Sequence, residues 1–308
     1  MGSKNMGQVL PSRLAYASNP QDKRSVTHRT RFAPSPNGLL HLGHAYAAVV
    51  AHDQARTRDG DFLVRIEDID GTRSRAELIP EILADLEWLG LGWDEPVLHQ
   101  TSRLAAYAEA GERLIELGLL YPCACTRAEV LAAAIDQGPD GPIYPGTCRQ
   151  RRAAPGDDVA WRIDMARASD LAGPLWWDDA LAGRQRARPE AFGDVVLLRK
   201  NAPASYHLAA TLDDAFQGIT LVTRGQDLFF STHIHRLLQA LLELPEPRWH
   251  HHGLLVESDW RKLAKRRGSP SLQDLRERGD DGLALADALR KGRFPAGLSL
   301  GQGLGTST

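Results

Sequence analysis

The sequence is poor in cysteine, in aromatic residues and in net charge, and it has no long apolar run. Only three cysteines occur in 308 residues, and aromatic side chains make up 6% of the chain. Three thiols crowded into one segment do not make the disulfide framework of a small secreted domain. No apolar stretch is long enough to span a bilayer, so no membrane partner is expected. Residues 1–28 are polar and aperiodic, a loose extension without the basic, apolar and small-residue layout of a signal peptide, and the expected location is the cytoplasm. The formal net charge of −2 argues against a protein that coats nucleic acid by bulk charge. Contact with RNA would have to come from local patches. The candidates are Arg149, Arg151 and Arg152; Arg184, Arg186 and Arg188; and Arg261, Lys262, Lys265, Arg266 and Arg267. Runs of this kind are often no more than solvated surface. No internal repeat is evident.

What is present begins with a corner. Thr30 to Ala33 reads as a short strand, and Pro34, Pro36 and Gly38 exclude helix there. Leu39 to Ala55 is apolar and alanine-rich enough to be a helix. His41 and His44 stand three apart in its first turn and share a side, at an end where free N–H groups and the helix dipole favour phosphate. The same residues also suit a helix that merely begins with two histidines. Phe62 to Asp68 alternates as a strand that puts Arg65 and Glu67 on one face and ends in the acidic cluster Glu67, Asp68 and Asp70. Helical spacing recurs at Leu78, Ile82, Leu86 and Leu89, at Tyr107, Leu114 and Leu117, and at Leu237, Leu238, Leu241 and Leu242. Strands alternate with these helices at both ends of the chain, the pattern of a doubly wound parallel α/β sheet. Residues 118–195 have a different, Pro/Gly/Arg-rich texture and read as an insertion, with short strands expected at Val159 to Ile163 and Asp194 to Arg199.

All three cysteines, Cys123, Cys125 and Cys148, lie in that insertion. In a chain of cytosolic character a metal explains them better than disulfides. Structural zinc takes four ligands, and no histidine lies between His99 and His207. Tyr144, four residues before Cys148, is the nearby oxygen donor, although it also suits a packed aromatic. Three thiols without a fourth ligand would instead make a reactive or partly occupied site. The triplet His250, His251 and His252 alternates faces in an extended chain and chelates poorly as a block, so a strand-edge or packing role is expected.

Taken in order, RFAPSPNGLLHLGH from Arg31, LVRIEDID from Leu63, LDDAFQGITLVTRGQDLFFST from Leu212 and KLAKR from Lys262 resemble the signature set of class I aminoacyl-tRNA synthetases of the glutamyl/glutaminyl branch. HLGH is similar to the "HIGH" motif and KLAKR to "KMSKS", with Ala264 where a hydroxyl residue is usual. The likeness covers residues 29–268, and four ordered motifs are more specific than any one. Cys-x-Cys followed by Tyr-x-x-x-Cys resembles the zinc site of glutamyl-queuosine tRNA(Asp) synthetases, short relatives of glutamyl-tRNA synthetase.

The resemblance implies a class I synthetase Rossmann-type doubly wound parallel sheet with an inserted zinc-binding, acceptor-type subdomain. The expected division is residues 29–117 and 196–268 for the two halves of the catalytic domain, 118–195 for the insertion and 269–308 for a short tail. It implies a glutamate pocket from Arg31, Phe32, Ala33, Pro34, Ser35, Glu67, Tyr206 and Arg224. His41, His44, Lys262 and Lys265 would bind ATP, with His41, His44 and Lys265 catalytic. One structural zinc would sit on Cys123, Cys125, Tyr144 and Cys148, and magnesium would accompany ATP. Arg31 and Arg224 suit carboxylates, Glu67 an ammonium group and Lys265 a departing pyrophosphate. Forty residues follow Gly268, too few for the anticodon-binding region of a full glutamyl-tRNA synthetase. The expected activity is therefore ATP-dependent transfer of glutamate to queuosine in the tRNA(Asp) anticodon loop, by a monomer. A truncated glutamyl-tRNA synthetase charging a 3′ end and a non-catalytic RNA-binding paralogue are the alternatives.

Overall fold

The structure, a computed structural model, describes residues 28–134, 136–152, 158–200, 204–257 and 270–301. The first part of the chain runs β1 (Arg29–Phe32), α1 (Leu42–Arg56), β2 (Asp61–Ile66), α2 (Ile79–Trp88), β3 (Leu98–His99) and α3 (Leu104–Glu116). β1, β2 and β3 pair in parallel in that order, with Arg31 opposite Leu63 and Arg65 opposite Leu98. Five of the six residues of β2 are buried, as expected of a strand covered on both faces. The small residues Ala45, Ala48, Ala51 and Ala55 let α1 lie close to this sheet.

The middle part contributes β4 (Leu120–Cys123), α4 (Arg127–Ala133), the short pair β5 (Gln137–Gly138) and β6 (Gly141–Pro142), β7 (Ala160–Ile163), α5 (Met165–Ala172), β8 (Trp176–Asp179), β9 (Gly183–Arg186) and β10 (Val196–Leu198). β10, β7 and β4 form an antiparallel sheet of their own. The β7 and β10 strands fall within the two segments expected from the sequence. β8 instead leaves this sheet and pairs in parallel with a strand from the third part of the chain. That part runs α6 (Tyr206–Phe216), β11 (Leu221–Gly225), α7 (Ser231–Leu241), β12 (Arg248–His252) and β13 (Leu255–Glu257). β12 lies between β11 and β8, so the histidine triplet occupies an interior strand, which leaves the packing role and not the strand edge.

α8 (Leu272–Glu277), α9 (Gly282–Arg290) and β14 (Leu298–Leu300) then return to the first part. Leu272, Leu275, Ala286 and Leu289 complete the core built by α1, α2, β1 and β2. Arg276 bonds Asp85 at 3.2 Å and Glu81 at 2.5 Å, both on α2. Gly282 packs against Trp88 so closely that an added Cβ would lie 2.2 Å from the Trp88 carbonyl oxygen, which leaves room for glycine alone. A second core joins α3, α5, α6 and α7 through Tyr107, Leu114, Met165, Leu208, Leu212, Ile234 and Leu237.

The two parallel groups meet between β1 and β11. The Thr220 N–H donates to the Arg29 carbonyl at 3.0 Å, and the Arg29 N–H to Thr220 Oγ1 at 2.8 Å. Above this seam, Asp214 of α6 accepts from Arg31 Nε at 2.8 Å and Nη2 at 3.3 Å, and from Arg65 Nη1 at 2.8 Å. Arg31 Nη1 also donates to the Thr223 carbonyl of β11 at 3.0 Å. Asp213, next along the helix, accepts from Gln100, Arg103 and Tyr107. Removing one member of such a buried set leaves the others charged and unpaired. Asp214→Asn is therefore expected to cost on the order of 3 to 5 kcal/mol in urea unfolding at pH 7. A loss below about 1 kcal/mol, the range of an exposed pair, would show that the network is not a keystone.

Candidate active site

Ligands of open parallel sheets bind beyond the carboxyl ends of the strands where the winding reverses. That place lies here between β1 and β11, beside Arg31 of the one strand and Arg224 of the other. The β1 strand runs out into Ala33 and Pro34, and the Glu67 N–H donates to the Pro34 carbonyl at 3.0 Å, which fastens the end of β2 to this loop. Phe32 and Pro34 are buried, Phe32 within the first core, so they can offer a ligand little beyond backbone. Ser35 is exposed at the crest of the turn. Glu67 accepts from Arg65 Nη2 at 3.2 Å, and burial raises its carboxyl above the usual range against the opposing pull of Arg65 and Arg31.

His41 is not the first residue inside the helix but its N-cap. Its Nδ1 accepts from the Gly43 N–H, while His44 Nδ1 accepts from the His41 N–H, a capping box made of two imidazoles. The rings lie 3.9 Å apart at the start of α1. This explains why the helix begins at Leu42 and not at Leu39. Lys262 and Lys265, with the rest of the KLAKR motif, lie outside the described residues.

Arg224, at the end of β11, is buried and donates to four neutral groups. Nε reaches His251 Nε2 at 3.1 Å, Nη1 reaches the Tyr206 hydroxyl at 3.0 Å and His235 Nδ1 at 3.3 Å, and Nη2 reaches Thr232 Oγ1 at 2.7 Å. Burial raises the Tyr206 phenol, and the charges of Arg224, Glu67, Arg31 and Asp214 all act on it. Tyr206 thus bonds Arg224 and lies within electrostatic reach of Glu67 and Arg31. His235, Thr232 and the Asp213–Asp214 pair were not singled out from the sequence, and His251 only as one of a histidine triplet without a role at the site. The two aspartates were at least visible as adjacent carboxylates in an otherwise apolar helix. His251 carried no such signal, because its partner is Asp179, 72 residues away.

The three cysteines also converge. Their sulfur atoms all lie within 4.8 Å of one another, close enough to hold a metal ion. The Tyr144 hydroxyl is 3.4 Å from Cys123 Sγ and from Cys125 Sγ, and it accepts the Cys148 N–H at 2.8 Å. Burial opposes ionisation of Cys148, but bonds from Tyr144, the Ala124 backbone and the other thiols bring it down to about 7. The Arg162 guanidinium sits 3.9 Å over the Tyr144 ring and 3.3 Å from Cys123 Sγ. Beside this cluster opens a cavity of about 760 Å³, reaching from Cys125, Tyr144 and Arg162 to Arg199, Ser205 and His207 at the start of α6. Of the basic patches, Arg149 is paired with buried Asp194 at 2.6 Å, and Arg184 lies over the Trp176 ring at 5.2 Å.

Residues 27–298 match the family model of tRNA synthetases class I (E and Q), catalytic domain. The chain belongs to that family. A Glutamyl-Q tRNA(Asp) synthetase of Rhodobacter capsulatus is 48% identical to this synthetase over 81% of the chain and 95% of the relative. One from Symbiobacterium thermophilum is 42% identical over 81% of each. Among solved structures, a glutamate-tRNA synthetase of Elizabethkingia anophelis superposes with a TM-score of 0.71 at 25% identity, covering 87% of this chain. A glutamate tRNA ligase of Elizabethkingia meningosepticum in complex with its amino acid gives 0.63 at 25% identity, covering 82%. This synthetase spans 62% and 53% of those two chains, respectively. Among the described residues, no helix is long and apolar enough to cross a membrane.

The synthetase site has a testable acid response. Burial takes His251 down to about 4, although its bond to Asp179 pulls the other way. The ring is neutral in the folded chain while the unfolded ring gains a proton below about 6.5. Its contribution is therefore complete above that value and is lost as pH falls towards 4. Relative to His251→Gln, the wild type should lose about 2 kcal/mol of stability between pH 7 and pH 4.5 in urea unfolding. A pH-independent difference between the two proteins would refute it.

Proposed function

We propose that this synthetase activates glutamate with ATP and transfers it to queuosine in the anticodon loop of tRNA(Asp). The single observation that carries the amino-acid half is Arg224, a buried guanidinium whose hydrogen-bond partners are all neutral. A buried cation of this kind calls for an anionic ligand. Arg224 and Tyr206 would hold a glutamate carboxylate, Glu67 the ammonium group, and Ser35 with the Phe32 to Pro34 backbone would close the pocket. Arg31 lends its charge from behind, since Asp214 already takes two of its donors. In the first step a glutamate carboxylate oxygen attacks the α-phosphorus of ATP and pyrophosphate leaves. His41 and His44 would contact the phosphates from the N-terminus of α1, and Lys262 and Lys265 would stabilise the charge that collects on pyrophosphate. In the second step a queuosine hydroxyl attacks the acyl carbon and AMP leaves.

The acceptor half is supported by the names of the relatives at 48% and 42% identity and by the cavity that runs from the cysteine cluster to the start of α6. That cavity would admit the nucleoside, with the patches at Arg149 to Arg152 and Lys262 to Arg267 contacting the RNA backbone. Residues 118–195 would act as the acceptor-side insertion between the halves 29–117 and 196–268. The donor set of Cys123, Cys125, Cys148 and Tyr144 suits zinc, which would pin the two ends of the loop 124–148 together. Among the described residues the cysteine cluster is the one group of three or more metal-ligating side chains, so magnesium would come bound to the phosphates of ATP. The setting for this chemistry would be the cytoplasm, with the chain acting as a monomer.

Exchange of labelled pyrophosphate into ATP should depend on glutamate and proceed without tRNA. Labelled glutamate should then appear on the anticodon fragment of tRNA(Asp) from cells that make queuosine, and not on tRNA from cells that cannot. Label on a 3′-terminal fragment would assign a truncated glutamyl-tRNA synthetase instead. No exchange with any amino acid would leave the RNA-binding paralogue. Protein purified without added zinc should carry about one zinc per chain, and Cys148→Ser should lower that content. A folded, metal-free wild type would refute the zinc site.

A further inference from the structure

We propose that His251, oriented by Asp179, is a positioning residue that sets selectivity for an anionic substrate, because it meets Arg224 with a bare ring nitrogen instead of a carboxylate. This rests on the reading of the Arg224 pocket as the glutamate site.

The donor and acceptor accounting around Asp179 decides the tautomer. Asp179 Oδ1 accepts from the Leu181 and Ala182 N–H groups at 2.9 and 2.8 Å. Oδ2 accepts from the His251 N–H at 3.1 Å and stands 2.7 Å from His251 Nδ1. A carboxylate held by backbone donors in this way can only accept, so Nδ1 carries the ring proton. A neutral ring must then turn an unprotonated Nε2 towards Arg224 Nε, 3.1 Å away, and towards Thr232 Oγ1 at 3.2 Å. Thr232 donates its hydroxyl proton to that nitrogen and is left to accept from Arg224 Nη2.

The result is a guanidinium fixed in orientation by acceptors that carry no charge. Asp179 is the nearest carboxylate along this chain of bonds, and it is kept on the far side of the imidazole. Arg31, which bonds the Thr223 carbonyl next to Arg224, and Arg65 are treated in the opposite way, since both bind Asp214 directly. Arg224 is therefore the cation whose charge remains for a ligand. A glutamate carboxylate supplies the missing charge, whereas the amide of glutamine supplies hydrogen bonds alone. A carboxylate at position 251 would fill the role of the substrate.

Glutamine and glutamate side chains have the same length and differ in charge, so His251→Gln and His251→Glu separate charge from shape. Full-length wild type and both variants would be compared in pyrophosphate exchange, with glutamate, glutamine and ATP varied in turn. His251→Glu should raise KM for glutamate about 100-fold over His251→Gln, and the preference for glutamate over glutamine should fall with it. KM for ATP should move by about twofold or less. His251→Gln, which keeps an acceptor oxygen, should stay within about tenfold of wild type. Equal KM for glutamate in the two variants, or an equal rise for glutamate and ATP, would overturn the assignment. If His251→Glu does not fold, Asp179→Asn takes its place. It releases the ring tautomer and should raise KM for glutamate about tenfold with ATP unmoved. Wild type without glutamate-dependent exchange would defeat the activation reading itself. Calorimetric binding of glutamate and glutamine to the same proteins would then decide the role of His251 separately.

Discussion

Asp214 holds two arginine side chains that would otherwise repel each other in a dry interior, and the site depends on this carboxylate. Arg31 comes from β1 and Arg65 from β2, neighbouring parallel strands whose pairing brings the two guanidinium groups to one region. Asp214 comes from α6, more than a hundred residues further along the chain. Bringing β1 and β2 together is thus electrostatically acceptable only once α6 has docked. The same contact places the β11 carbonyl of Thr223 against Arg31. The reversal point of the sheet, where the ligand groups collect, exists only when both halves of the chain have assembled. Asp213 extends this to α3 through Arg103, Tyr107 and Gln100.

The three arginines Arg31, Arg65 and Arg224 around the β1–β11 seam then take three electrostatic positions. Arg65 is fully buried and bonded to Asp214, Gln217 and Glu67, so its role ends with the fold. Arg31 shares Asp214 but keeps hydrogens on Nη1 and Nη2 beyond those bonds, and it adds positive potential near Glu67 and Tyr206. Arg224 meets neutral acceptors alone. Donors aimed and held before the ligand arrives need no rearrangement when charge develops, which is how such a site stabilises a transition state. The neutrality of His251 and His235 is part of this design. Burial and the Arg224 charge depress both imidazoles, which keeps them from adding further positive charge beside the guanidinium.

The local features were legible in the sequence, and the distant ones were not. Proline and glycine bounded β1, alternation marked β2, and the spacing of Cys123, Cys125, Tyr144 and Cys148 announced a cluster that closes within one segment. The start of α1 was misplaced by three residues, because a histidine is an unusual cap and Leu39 and Leu40 extend the apolar pattern into the preceding loop. β8 was not expected, since Trp176 to Asp179 offers only a short Trp-Trp-Asp-Asp run and its partner strand lies some seventy residues away. Of the edge and packing roles open to the histidine triplet, the interior position of β12 and the burial of His251 and His252 fit packing. Nothing local tells which of three successive histidines faces Arg224, because Asp179 fixes that choice from another strand. Asp213 and Asp214 stood inside a recognised motif without a role. Their partners Arg31, Arg65 and Arg103 are spread over β1, β2 and the turn before α3.

The first turn of α6 joins the two ends of the site. Ser205 caps it by accepting the Leu208 N–H, which fixes the direction in which the next residues leave the backbone. Successive helical positions point about 100° apart, so Tyr206 and His207 cannot share a direction. Tyr206 turns to Arg224, while His207 reaches the cavity wall and approaches Asp140 of the cysteine-bearing segment at 3.5 Å. The His207 ring still touches that of Tyr206, with centroids 5.7 Å apart, and that of His235 at 5.4 Å. One helical turn thus carries the residue that bonds Arg224 and the residue that lines the cavity beside the cysteine cluster. The cysteine-bearing segment, distant in sequence from Arg31, Glu67 and Arg224, thereby meets the same helical turn that reaches Arg224.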